Sequence, residues 1–155
     1  MKIVFRISTV ALLLFVWGFA FRAAEPKENR ISKKDLPPAV TAAFKKVYPK
    51  ATIKACSQEQ RGGQTCYEVE SVDGNQTRDL IYAADGTVLE MEEAMDPMEL
   101  PAAVRKAVAE EHPKGKIVRI EKLTKSTSVS YEVVVSEGKK QSELVLDANG
   151  KVVKP

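Results

Sequence analysis

The sequence predicts an α+β fold made of a tandem repeat. Each unit is a helix followed by a four-stranded antiparallel meander, with the helices packed on one sheet face. Three observations carry this reading. Leu36-Pro37-Pro38-Ala39-Val40 recurs as Leu100-Pro101-Ala102-Ala103-Val104. At a constant offset of 64, without a gap, 16 of 56 aligned positions are identical, against roughly three or four expected at ordinary residue frequencies. The identities fall on punctuation and core positions: Pro49 and Pro113, Tyr67 and Tyr131, Gly74 and Gly138, Leu80 and Leu144, Gly86 and Gly150.

The elements follow in order. Residues 1–20 place Lys2 and Arg6 before an apolar stretch and end in small residues at Gly18 and Ala20. That is the pattern of a secretory signal peptide cut after Ala20. An uncleaved anchor is the alternative, because the apolar run approaches the ~20 residues that span a bilayer. Residues 21–34 are polar and read as a flexible lead-in. The first repeat, 35–92, opens with Asp35 as a helix cap and Pro37 in the first turn. Leu36, Val40, Ala43, Phe44 and Val47 then recur at helical spacing, and Pro49 stops the helix. Strands are expected at 51–58, 65–72, 78–82 and 87–92, with Asp85-Gly86 as a hairpin turn. A short acidic linker, 93–98, leads to the second repeat, 99–155. There the helix precedes Pro113, strands fall at 116–123, 130–136, 142–146 and 151–154, and Asn149-Gly150 makes the turn. Met95 and Met98 in the linker read as gap fillers between the repeats and not as metal ligands.

Composition narrows the function classes. The formal charge is +3, falling to +1 once residues 1–20 are removed. A nearly neutral chain is a poor electrostatic partner for nucleic acid. Cleavage would leave no membrane segment. No Gly-x-Gly-x-x-Gly, phosphate loop or Gly-x-Ser-x-Gly is present. His112 is the lone histidine and falls at the end of the second helix, where a helix C-terminus favours it. No metal site, cofactor or catalytic set is expected, and the chain does not read as an enzyme.

Two cysteines in an exported chain permit a disulfide. If the first two strands pair so that facing numbers sum to 122, Cys56 faces Cys66, Ile53 faces Val69, and Lys54 faces Glu68. One register thus aligns the thiols, an apolar face and a charge pair. A Cys56–Cys66 disulfide is therefore expected.

Strand alternation yields a candidate binding face. Tyr67, Val69, Leu80 and Tyr82, and their counterparts Tyr131, Val133, Leu144 and Leu146, should face the helices. The opposite face of the first repeat then carries Lys54, Cys56, Glu68, Glu70, Asp79 and Ile81. That of the second carries Val118, Ile120, Glu132, Val134, Glu143 and Val145. So many branched apolar residues on one helix-free face mark a contact surface, met either by a partner or by the other repeat.

The string Leu-Pro-x-Ala-Val, Tyr-Pro-Lys-Ala-x-Ile, Tyr-Glu-Val-Glu, Asp-Gly-Thr-Val-Leu-Glu resembles the PepSY-like family. These small domains are related in fold to the beta-lactamase inhibitory protein. The resemblance covers 36–92 and 100–155 and implies a periplasmic or secreted bacterial protein whose strands join in a curved sheet. In relatives that are peptidase prosegments it implies an inhibitory or chaperone role. The resulting expectation is an exported, non-enzymatic module that contacts a protein or peptide, a peptidase among the candidates, through its helix-free face. A periplasmic small-ligand or ion-binding sensor or carrier is the alternative.

Overall fold

The computed structural model describes residues 29–153. The expected signal segment, 1–20, lies outside them. Eight strands form one antiparallel sheet in the order β1-β2-β3-β4-β5-β6-β7-β8, so each strand pairs with its neighbour in the chain. The strands are β1 (Asn29–Ile31), β2 (Thr52–Arg61), β3 (Gln64–Asp73), β4 (Gln76–Ala83), β5 (Val88–Ala94), β6 (Lys116–Lys125), β7 (Ser128–Glu137) and β8 (Lys140–Asp147). Helix α1 (Pro38–Val47) precedes β2, and helix α2 (Ala102–Glu111) precedes β6. Short 3-10 turns at Lys33–Asp35 and Pro97–Glu99 lead into the two helices.

The offset of 64 holds for every helix and turn and for the three full strands of each repeat. It also holds at finer scale. The bulge between Ile53 and Ala55 in β2 returns between Ile117 and Arg119 in β6. The Ala83–Thr87 hairpin hydrogen bond (2.9 Å) returns as Asp147–Lys151 (2.9 Å). Gly86 and Gly150 close these hairpins at φ +86° and +80°, and a Cβ on either would lie 2.7 or 2.5 Å from a helix carbonyl, that of Ala39 or Ala103. Only glycine supplies both the left-handed backbone and the close approach. Asp85 itself keeps a negative φ and instead accepts a hydrogen bond from the Thr87 amide at 2.9 Å.

The two repeats share one continuous sheet because β5 belongs to both. One edge pairs with β4, from Tyr82↔Val88 through Leu80↔Met91 to Arg78↔Glu93, as the fourth strand of repeat 1. Its other edge pairs with β6 from Glu90↔Lys125 onward, ending with the pairs Glu93↔Lys122 and Ala94↔Glu121. Those pairs stand 64 residues after Asn29↔Gln58 and Arg30↔Ser57, which join β1 to β2. Strand β5 is therefore the closing strand of one repeat fused to the opening strand of the next. Beyond β8 the fourth strand of repeat 2 is represented, among the described residues, by the bridge Leu146↔Val152, the counterpart of Tyr82↔Val88.

Both helices lie on one face and bury matching cores. Leu36, Val40 and Phe44 pack on Val69, Leu80 and Tyr82. Leu100, Val104 and Val108 pack on Val133, Val135 and Leu146. Tyr67, Tyr131 and Leu144 join from the sheet as expected. Of the two linker methionines, Met95 packs on the second core and Met98 is exposed.

Several expectations need correction. The helix begins at Pro38, and Asp35 ends the preceding turn, where its carboxylate accepts from the Ser32 amide. Part of the expected flexible lead-in is ordered, since β1 and the first turn occupy it. The expected linker starts late because β5 runs on to Ala94. The largest correction is the β2–β3 register. Cys56 pairs with Val69, and Cys66 with Glu59. The bulge at Lys54 inserts one residue and turns every later β2 side chain to the other face. Cys56 therefore enters the helix-side core, while Cys66 sits beside Ala83 on the opposite face. Both thiols are free and buried. The bulge at Val118 likewise turns Ile120 into the second core.

Candidate binding face

No helix covers the second face of the sheet among the described residues, and neither repeat folds over the other. Of the expected face residues, Glu68, Glu70, Asp79, Ile81, Glu132, Val134, Glu143 and Val145 do lie there, paired across β3–β4 and β7–β8. Cys56 and Ile120 do not. Lys54 and Val118 are the extra residues of the two bulges, with no cross-strand partner. In the places of Cys56 and Ile120 the corrected register brings Ser57, Glu59 and Arg61 from β2, and Arg119, Glu121 and Leu123 from β6. Strand β5 adds Glu90 and Glu92.

The result is an acidic face. Glu70, Asp79 and Glu92 are direct cross-strand neighbours in one row. Glu68 and Glu90 flank Ile81 in the next. Glu121 faces Glu132, and Glu143 faces Val134. Arginines hold the margins. Arg30 bonds Glu70 at 2.8 Å, Arg61 bridges Glu59 and Glu90, and Arg119 bridges Glu121 and Glu132. Ser57 donates to Glu68 at 2.7 Å. Beneath these long side chains Ser57, Cys66, Ile81 and Ala83 are buried although no helix lies above them.

The centre is different. Asp79 and Glu92 face each other and have no hydrogen bond or ion pair among the described residues. Like charges directly opposite destabilise a sheet. Burial, then Glu68, Glu70 and Glu121, push the Asp79 carboxyl up to about 7. Burial, then Glu121, Glu132, Glu90 and Asp79, push Glu92 up to about 7. Burial is also the main cause of raised carboxyls at Glu121 and Glu143. A cation seated here would relieve the repulsion and release protons.

The helix side carries smaller features. An open groove of about 460 Å³ at the end of α1 is lined by Lys33, Phe44, Lys45, Tyr48, Pro49, Ala51 and Ile53. At the seam, Tyr48 donates to the Met91 sulfur at 3.3 Å, and Arg78 stacks over the Tyr48 ring while bonding Glu93 at 2.7 Å. His112 caps the end of α2, 3.7 Å from Glu137. Among the described residues no group of three or more His, Cys, Asp or Glu is placed to hold a metal ion. None of their helices is long and apolar enough to cross a membrane.

Among the described residues the chain is a tandem helix-on-sheet protein with helices on one sheet face. Residues 22–90 and 66–154 match the PepSY-like family, described as beta-lactamase-inhibitor-like. The chain belongs to that family. A BLIP-like protein from Bacteroides fragilis is 26% identical, covering 75% of this chain and 82% of its own, with a TM-score of 0.56. A Bacteroides eggerthii protein described as periplasmic is 20% identical over 76% of this chain and 86% of its own, with a TM-score of 0.64. A Bacteroides uniformis protein of the DUF2874 family shows 17% identity over 76% and 86%, with a TM-score of 0.62. No curated protein matches the sequence.

Proposed function

We propose that this chain is an exported, non-enzymatic binding module that seats a basic protein or peptide surface on its helix-free face. One observation carries the reading: Asp79 and Glu92 are held unpaired and half-buried, directly opposite each other in a row of carboxylates that Glu70 continues. Such an arrangement lowers stability in isolation, and local conflicts of this kind concentrate at functional sites. Lysine or arginine from a partner would complete the row, while Arg61 and Arg119 keep the outer carboxylates in place. Complementary charge of this sort sets orientation and association rate more than raw affinity. Membership in a beta-lactamase-inhibitor-like family supports a binding role, and the periplasmic description of the Bacteroides eggerthii relative supports export. The test is capture from envelope extract by the native chain and by an Asp79→Asn/Glu92→Gln variant that preserves shape. A basic protein held by the native chain and released from the folded variant is the expected result. Equal retention by both would remove the central pair from the interface.

A further inference from the structure

The two repeats differ outside their cores, and two of the differences match each other. In repeat 1 the groove at the end of α1 has an apolar floor of Phe44, Tyr48 and Ile53, recessed below the exposed lysines Lys33 and Lys45. Neither lysine has an ion pair among the described residues. Residues 33–50 hold five lysines against one carboxylate, Asp35. Repeat 2 has Pro97 in place of Lys33 and Ala109 in place of Lys45. What repeat 2 has instead is a knob. The turn Pro97–Glu99 holds out Met98, which at 88% is the most exposed large apolar side chain among the described residues. The turn is fixed: the Asp96 carboxylate accepts from the Met98 amide at 2.8 Å, and Arg105 donates to the Met98 and Leu100 carbonyls. Asp96 and Glu99 flank the methionine, exposed and without an ion pair among the described residues. Repeat 1 has Ser32 in place of Asp96 and Lys34 in place of Met98.

We infer that this groove seats Met98 of a second copy of the chain. The thioether lies against the Phe44 and Tyr48 rings, a favourable contact for sulfur, while Asp96 and Glu99 meet Lys33 and Lys45. Charge selects this occupant, since one repeat carries the lysine-rimmed groove and the other the carboxylate-flanked knob. An open groove cannot enclose a small ligand. Its apolar side chains are recessed, whereas a bilayer surface is bound by apolar side chains that project. Ile53 and Glu93 stand in one cross-strand row, through Ser71 and Arg78. Groove and knob therefore share one end of the sheet, and a two-fold pair makes both contacts at once and closes on itself. Neither surface includes Asp79, Glu92 or another residue of the helix-free face, so this inference does not depend on that one.

The test is sedimentation of the purified protein over a range of concentrations, with the Met98 methyl signal followed by NMR. The expected result is a monomer–dimer equilibrium, with a ring-current shift of that methyl as the dimer forms. Met98→Ser should weaken pairing by at least about tenfold, as loss of a buried apolar side chain implies. Lys33→Glu/Lys45→Glu and Asp96→Lys/Glu99→Lys should each stay monomeric, since like charges then meet. Mixed together they should pair one to one, because each surface again meets its opposite. The substituted side chains are all exposed, and rescue on mixing is a result that misfolding could not produce. Pairing should persist in Asp79→Asn/Glu92→Gln; its loss there would move the contact to the acidic face and overturn the inference. A native chain that stays monomeric up to about 1 mM, a dimer that Met98→Ser leaves unchanged, or a mixture that fails to pair would overturn it equally. So would a monomer that binds phosphatidylglycerol vesicles through Lys33 and Lys45, which would assign the groove to a lipid surface.

Discussion

Strands β4 and β8 stem from one ancestral pattern, yet they meet different surroundings. Leu80 on β4 is 1% exposed, while its counterpart Leu144 on β8 is only partly buried. Asp79 is enclosed among other carboxylates, while Glu143 is the more exposed of the two, although partial burial still raises its carboxyl. The residue types barely change between the pairs, so the neighbouring strand decides burial. The helices differ too: α1 plugs its core with Phe44 where α2 offers Val108. Among the described residues, repeat 1 is the enclosed half and repeat 2 the lighter half, with no strand beside β8 at 140–144.

The largest expected effect tests the cores. Phe44→Ala should cost about 3–5 kcal/mol, and Val108→Ala about half as much, because fewer buried carbons are lost. Urea denaturation measures both, and the reverse order would break the comparison.

The acid pair comes next. With folded pKa values near 7 against ordinary values near 4, Asp79 and Glu92 keep protons in the folded state that the unfolded chain has lost. Stability should be greatest below about pH 4, fall as pH rises toward 7, and level off above. Asp79→Asn/Glu92→Gln should flatten that slope and add about 2 kcal/mol at pH 8, with little gain at pH 4. Glu143→Gln should change stability by less than about 0.5 kcal/mol. A pH-independent gain from the pair would show that repulsion is not its cause.

Hydrogen exchange offers a finer contrast. Amides of β4 should outlast those of β8 at 140–144 by about tenfold or more, because edge pairs open locally. The smallest effect expected is none at all. With Cys56 and Cys66 on opposite faces, reducing agent should leave the melting temperature unchanged, and a drop would restore the disulfide.

Much of this fold was legible because the repeat repeats its punctuation. Proline, glycine and tyrosine mark the same points twice, and the helix-facing residues follow from plain alternation. The bulges were not legible. Lys54 and Val118 look like ordinary strand residues, yet each shifts its strand by one and exchanges the faces beyond. That single step misplaced Cys56 and Ile120 and suggested a disulfide. Glu68, Glu70, Glu132 and Glu143 could be assigned to the bare face from alternation alone. The acidic row itself needed the pairings of β3 through β5, which join residues distant in sequence.

A strand owned by both halves leaves no hinge between the two repeats. The usual polar interface between neighbouring domains, which permits relative motion, is replaced here by a ladder of backbone bonds through β5. The spacing of charges from Arg30 to Glu143 is thus fixed before any encounter. A visitor must match that pattern as it stands, and one that does so meets little reorganisation cost on docking.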